Sequence, residues 1–192
     1  MVPYIEDLRL FQDMPDLYTT TQEFFDLGGG DYEEHAILLA NYFAYVDNEQ
    51  QRESKVFLVM GCGLPNGQMV YVMRKTTLAE KSFELWDPLT ATCYFFESVN
   101  IGGLFNRNAS RLETRLLDPV CPLQQIHTIV SCENIYVNSQ KDDIPILMEF
   151  DFTNKKKWSR LYAKEAVGME TYQPIVDYPD PMGNAQQIEA RI

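Results

Sequence analysis

The chain is poor in the side chains that most hydrolytic and redox chemistry needs. Of 192 residues only four are cysteine (Cys62, Cys93, Cys121 and Cys132) and two are histidine (His35 and His127). No two cysteines stand in CxxC spacing, so the short-range signature of a zinc or redox motif is missing. In a chain that opens Met1-Val2-Pro3-Tyr4-Ile5-Glu6-Asp7, with neither a basic start nor an apolar stretch, they read as reduced, mostly buried thiols rather than secreted disulfides. No apolar run approaches the roughly 18 residues of a membrane-crossing helix, so a cytoplasmic chain without direct membrane insertion is expected. Cations are also scarce. Lysine and arginine total 16 against 28 aspartates and glutamates, a net charge of −12. Phosphate backbones and anionic lipids attract cationic surfaces, so nucleic acid and membrane are both disfavoured as partners.

Metal chemistry is equally unsupported. Glu33, Glu34 and His35 are consecutive, and consecutive helical side chains point in different directions. Asp142-Asp143 and the acids from Asp177 to Asp180 lack the spacing of a calcium loop. The expectation is no metal and no cofactor.

What is present is ordinary globular material, 45% hydrophobic and 23% charged. The length suits one sizeable domain with an arm. The division expected is an arm over residues 1–27, a domain over 28–168, and an extended tail over 169–192 that begins a polar helix from Ala185. Residues 1–22 are rich in Asp, Pro and Thr. A short helix through Gln22–Leu27 should break at Gly28-Gly29-Gly30. Asp31 then makes a good N-cap, with Glu34 three residues on completing a capping box. His35–Tyr45 is apolar nearly all round and reads as a buried helix with strands on most sides.

Strands are predicted over Lys55–Cys62, Gln68–Arg74, Ser82–Trp86, Ala91–Phe96, Gln125–Val130, Asn134–Asn138 and Ile146–Phe152. Gly63-Leu64-Pro65-Asn66-Gly67 is a strong turn signal. Asn100–Thr114, with its glycines, asparagines and arginines, reads as a mobile loop. The basic cluster Lys155, Lys156 and Lys157 reads as a solvated helix start, or alternatively as a landing site for an acidic peptide. The layout is α+β, a buried N-terminal helix against an antiparallel sheet.

Certain runs carry a more specific likeness. Gly30-Asp31-Tyr32-Glu33-Glu34-His35-Ala36-Ile37-Leu38-Leu39-Ala40-Asn41-Tyr42-Phe43 resembles the helix of the transglutaminase-like domain in the coiled-coil and C2-domain ciliary transition-zone scaffold family, which is linked to Meckel and Joubert syndromes. Val2-Pro3-Tyr4-Ile5 and Gln22–Leu27 resemble its lead-in. Gly63–Gly67 with Val70-Tyr71-Val72, and Leu85-Trp86-Asp87-Pro88, resemble its hairpin and third strand. Asn134–Asn138 and Phe150–Trp158 resemble its later strands. A centrosomal sibling family shares the domain more distantly. The resemblance implies a transglutaminase-like, papain-like fold within a large scaffold at the ciliary base, associated with the cytoskeleton and needed for cilium assembly. It also implies protein partners, other transition-zone components first among them.

In an active enzyme of that type a cysteine opens the buried helix, a histidine sits on a following strand and an acid on the next. At the matching positions here stand Tyr32 or Glu33, then Met69, then Asp87. Neither a phenol nor a carboxylate replaces a thiolate, and a thioether takes no proton at neutral pH. The reading is a pseudoenzyme that retains only the orienting acid. Its groove would be lined by Tyr32, Glu33, Glu34, Met69, Tyr71, Trp86 and Asp87. Against this, aromatic strand residues such as Tyr71 and Trp86 are usually core. Acidic tubulin tails suit such a charge badly, and a basic or neutral segment suits it better. The competing readings are a weak thiol hydrolase that pairs Cys62 with His35 or His127, and a purely structural brace within the scaffold.

Overall fold

Alternating side chains in the first two long strands produce a sheet with two different faces. In a computed structural model, residues 2–6, 18–65, 67–75, 82–102, 110–116 and 120–163 are described. They form helix α1 (Thr21–Leu27), helix α2 (Tyr32–Glu49) and strands β1 (Lys55–Gly63), β2 (Gly67–Lys75), β3 (Phe83–Trp86), β4 (Cys93–Gly102), β5 (Ser110–Leu116), β6 (Leu123–Val130), β7 (Ile135–Asn138) and β8 (Trp158–Arg160). All eight strands join one antiparallel sheet in the order β5-β4-β3-β2-β1-β6-β7-β8. The class is α+β.

The face away from α2 carries the main core. Phe57, Val59, Met69, Tyr71, Met73, Phe83, Leu85, Tyr94, Phe96, Ile126 and Ile129 are buried there together. Its lid is the connection from β7 to β8, which brings Met148, Phe150, Phe152 and Trp158 onto the same cluster. Aromatic contacts dominate: Phe83 stacks on Phe96 at 4.6 Å between ring centres, and Phe152 meets Trp158 at 5.1 Å. Such pairs add about 0.5–1.5 kcal/mol each beyond area burial.

The other face carries α2. Ala36 is fully buried against Val70 and Val72, and Tyr32, Leu39, Ala40, Phe43, Val56, Leu58, Met60 and Trp86 surround them. The expected burial of this helix on most sides is corrected. Only Glu34, Ala36 and Asp47 are buried along it, and Tyr42 and Tyr45 are 59% and 64% exposed. The helix lies on β1 and β2 as an outer layer, so a single sheet face covers it.

Three more expectations change. The segment read as a loop over Asn100–Thr114 contains the end of β4 and most of β5, paired from Phe96↔Leu116 to Gly102↔Ser110. Ile146–Phe152 alternates in burial but is not a strand. Turn bonds from Leu147 N and Met148 N to Ile144 O begin it, and side chains serve Glu149 in place of a ladder: Gln140 Nε2 donates to Glu149 O at 3.2 Å, Glu149 N donates to Gln140 Oε1 at 3.0 Å, and Trp158 Nε1 donates to Glu149 O at 2.8 Å. Lys155–Lys157 form a turn into the edge strand β8 and not a helix start. The tail over 169–192, with its expected helix, lies outside the described residues.

Candidate functional site at the start of the long helix

Two capped helices meeting at a glycine bend build this site. Thr20 caps α1, and Glu23 completes the box. Gly28 ends α1 in the left-handed region at φ 71°, where a side chain would be strained, and its N–H donates to Phe24 O at 3.1 Å. Asp31 caps α2 by accepting from Glu33 N at 3.1 Å. Glu34 does double duty. One carboxylate oxygen accepts from Asp31 N and the other from Thr19 N, both at 3.1 Å, so the chain leading into α1 is tied to the start of α2. The helix start thus concentrates Asp31, Glu33 and Glu34 within one turn. Burial raises the Asp31 carboxyl to about 6, and burial with the neighbouring Asp31 raises Glu34 as well.

Residues 2–5 lie across this corner. Ile5 N donates to Gly30 O at 2.8 Å and Gly30 N donates to Pro3 O at 3.4 Å, a short parallel bridge centred on Tyr4 and Gly30. The Tyr4 ring meets the Tyr32 ring edge-on at 5.4 Å. His35 faces two carbonyls, with Nδ1 2.6 Å from Asp31 O and Nε2 3.1 Å from Val2 O. Carbonyls only accept, so both bonds form together only when both ring nitrogens carry a proton. Phe24 packs its ring on the same imidazole at 4.9 Å.

At the far end of α2, Asp47 is 3% exposed. It accepts from Arg74 Nε at 2.9 Å and from Arg74 Nη2 and Ser54 Oγ. Arg74 also faces Glu84 at 3.6 Å and lies over the Phe43 ring at 5.4 Å. Trp86 Nε1 donates to Glu84 at 2.9 Å, closing the cluster.

The structure divides the sequence-predicted site residues. Tyr32, Glu33 and Glu34 open α2 as expected, and Trp86 lies on the same face, half-buried against Phe43. Met69 and Tyr71 belong to the opposite face, and the strand residues that meet α2 are Val70 and Val72. Met69 and Tyr71 thus pack in the far-face cluster, while the Tyr71 phenol stays within electrostatic range of both Tyr32 and Asp87. Tyr71 is fully buried and, among the described residues, its hydroxyl has no hydrogen-bond partner. Asp87 staples the β3–β4 turn by accepting from Leu89 N and Thr90 N, and its charge acts on Tyr71, Tyr94 and Cys121 of the far side. Lys155 and Lys156 are exposed beside β8, Lys157 pairs with Glu149, and this edge stands three strands from β1.

Burial pushes the Cys93 and Cys121 thiols up to about 11, which leaves little thiolate at neutral pH. His35 makes its contacts with carbonyls, and His127 is exposed on β6. A separate groove of about 460 Å³ on the far side is lined by Phe96, Cys121, Leu123, Asp143, Ile144 and Ile146, and no sequence-predicted site residue is among its lining.

Sequence reasoning missed the seating of residues 2–5, the two carbonyls on His35, and the Asp47–Arg74 pair. For Arg74 a signal existed, a cation ending an otherwise apolar strand. For the others there was none.

The fold and site together define an α+β domain in which a phenol and two carboxylates occupy the start of the main helix. The model of the CEP76 peptidase-like domain matches residues 16–161, and the chain belongs to that family. It is also similar to Protein CC2D2B of Homo sapiens, 26% identical over 176 residues, which cover 91% of this chain but 10% of that protein. The chain therefore spans about a tenth of the length of this relative. No solved structure matches.

Proposed function

We propose that this domain is a catalytically inactive, peptidase-derived protein-binding module of a ciliary scaffold, acting at the ciliary base and transition zone and needed for cilium assembly. Membership of the CEP76 peptidase-like family and likeness to CC2D2B support the setting. The observation that carries the reading is at the start of α2. Where a nucleophile would be placed, Tyr32 stands under the ring of Tyr4, and His35 is engaged by two carbonyls. A phenol packed edge-on against another ring is not the thiol that the family's nucleophilic chemistry uses. Partners are other scaffold components, reached through neutral or basic segments that complement the charge of −12. Acidic tubulin tails fit poorly.

The test is removal of the domain from the full-length scaffold in ciliated cells. The expected result is loss of one or more co-captured scaffold components and impaired cilium assembly, with the purified domain inert towards a thiol-directed activity probe. Unchanged capture and assembly sinks the module. Probe labelling of one cysteine that depends on His35 or His127 turns the reading to a thiol hydrolase.

A further inference from the structure

Residues 2–5 show what kind of ligand the start of α2 accepts. Their backbone is held through the bridge to Gly30, which is indifferent to side-chain identity and can pair with any extended segment. Selectivity comes from three features beside it. The ring of Tyr32 receives an aromatic at one position. Gly29 forms a bare floor under the next: a Cβ there would stand 2.5 Å from Ile5 Cδ1 and 3.0 Å from its Cγ1, so a larger residue would force the aliphatic side chain to shift. His35 Nε2 reaches the carbonyl two residues before the aromatic.

The seated segment is shallow. Pro3 is exposed and Tyr4 keeps 44% of its surface exposed, so little apolar area holds it down. The helix start beside it gathers Asp31, Glu33 and Glu34 within one turn, so a cation after the aliphatic complements that corner.

We propose that the groove formed by Gly29, Gly30, Tyr32 and His35 is a binding site for an extended segment of a partner protein with the pattern proline, aromatic, branched aliphatic, basic, and that residues 2–5 occupy it in cis as a displaceable surrogate. This rests on the protein-binding reading above and gives that reading a location and a partner chemistry. It places the occupant at the start of α2, where residues 2–5 pair with Gly30.

The experiment uses the full chain carrying Ile5→Asp, which loosens the cis segment, and a fluorescein-labelled peptide Val-Pro-Tyr-Ile-Lys. Saturable binding is expected, about tenfold or more tighter than to the unsubstituted chain, because the competitor in cis has been weakened. The same peptide ending in Glu should bind about threefold more weakly. Adding Gly29→Val should abolish binding with an unchanged far-ultraviolet circular dichroism spectrum. Absence of saturable binding, binding that survives Gly29→Val, or a concentration-dependent dimer in which a second copy supplies residues 2–5 would each overturn the proposal. A second measurement needs no substitution: excess unlabelled peptide should speed hydrogen exchange at the Ile5 amide of the unsubstituted chain, and an unchanged rate counts against the site. If the peptide fails while the Gly29→Val chain still captures scaffold components, the groove falls and the module reading stands.

Discussion

The carboxyl end of α2 is fastened by opposite charges, whereas its amino end gathers like ones. At the first, burial alone would raise the Asp47 carboxyl, but hydrogen bonds from Arg74 and Ser54 and the Arg74 charge outweigh it and hold the group below the usual carboxylate range. At the second, burial and crowding raise Asp31 and Glu34. One end fixes the helix to β2 and β3. The other is tied mainly by backbone donors and carries a shallowly seated strand. A long helix fixed at one end by buried charges and covered at the other by a shallow segment suits the proposed docking role, since the firm contacts and the shallow ones lie at opposite ends.

This contrast can be broken at the fastened end first. Asp47→Ala leaves Arg74, whose side chain is 13% exposed, without its main partner, and should lower unfolding free energy by about 2–3 kcal/mol in urea titration. Adding Arg74→Met should recover much of that, since the loss comes from an unpaired charge more than from a missing contact. Should Asp47→Ala prove neutral, the pair is not a fastener.

Glu34→Ala comes next. It removes acceptors from both Asp31 N and Thr19 N, and a loss of about 1–2 kcal/mol is expected in the same titration. Tyr4→Ala should act locally. Loss of one edge-on aromatic contact costs about 0.5–1.5 kcal/mol of local closure, visible as faster exchange at the Ile5 amide while the global midpoint hardly moves. A large global loss would show that residues 2–5 are integral to the fold and not displaceable.

The smallest effect is a pH dependence of opposite sign at the two ends. Because the Asp31 folded value, about 6, lies above its ordinary 3.8, its contribution is complete below 3.8 and is lost as pH rises through about 6. Asp47, with its folded value lowered, contributes above 3.8 and loses that contribution as pH falls. Asp31→Asn keeps a capping side chain but removes the ionisation. Relative to the parent, this variant should gain stability between pH 4 and pH 6, read as the difference in thermal midpoints. A constant difference would mean that Asp31 does not titrate in that range.

Much of the scaffold was legible from neighbours in sequence. The Asp31–Glu34 capping box, the glycine break after Leu27 and the reversal between Gly63 and Gly67 all appear where the residues place them. β1, β2 and β3 fall within a residue or so of expectation. The candidate site was less legible, and β2 shows why. Met69, Val70, Tyr71, Val72 and Met73 are buried in succession, so the strand is apolar on both faces and alternation cannot say which residues meet α2. Met69 packs in the far-face cluster and Val70 in the one under α2, a difference of a single residue in parity. β5 was hidden for another reason: its first residues follow directly on a stretch rich in Gly and Asn and were grouped with it, while its ladder to β4 depends on a distant partner strand. The Ile146–Phe152 segment misled in the opposite sense, since burial on alternate residues needs only a packed face and not a paired neighbour.

By itself the sequence determined the caps, the turn, the negative charge and the absence of a thiol from the start of the long helix, because each depends on residue identity or on bonds spanning three or four positions. Only the tertiary structure decided that residues 2–5 lie across that helix start, that Asp47 meets Arg74 across 27 positions, and that Met69 and Tyr71 pack in the far-face core while Val70 and Val72 meet α2. Those arrangements are settled by which face of a doubly buried sheet each strand presents, and that is a property of the assembled layers.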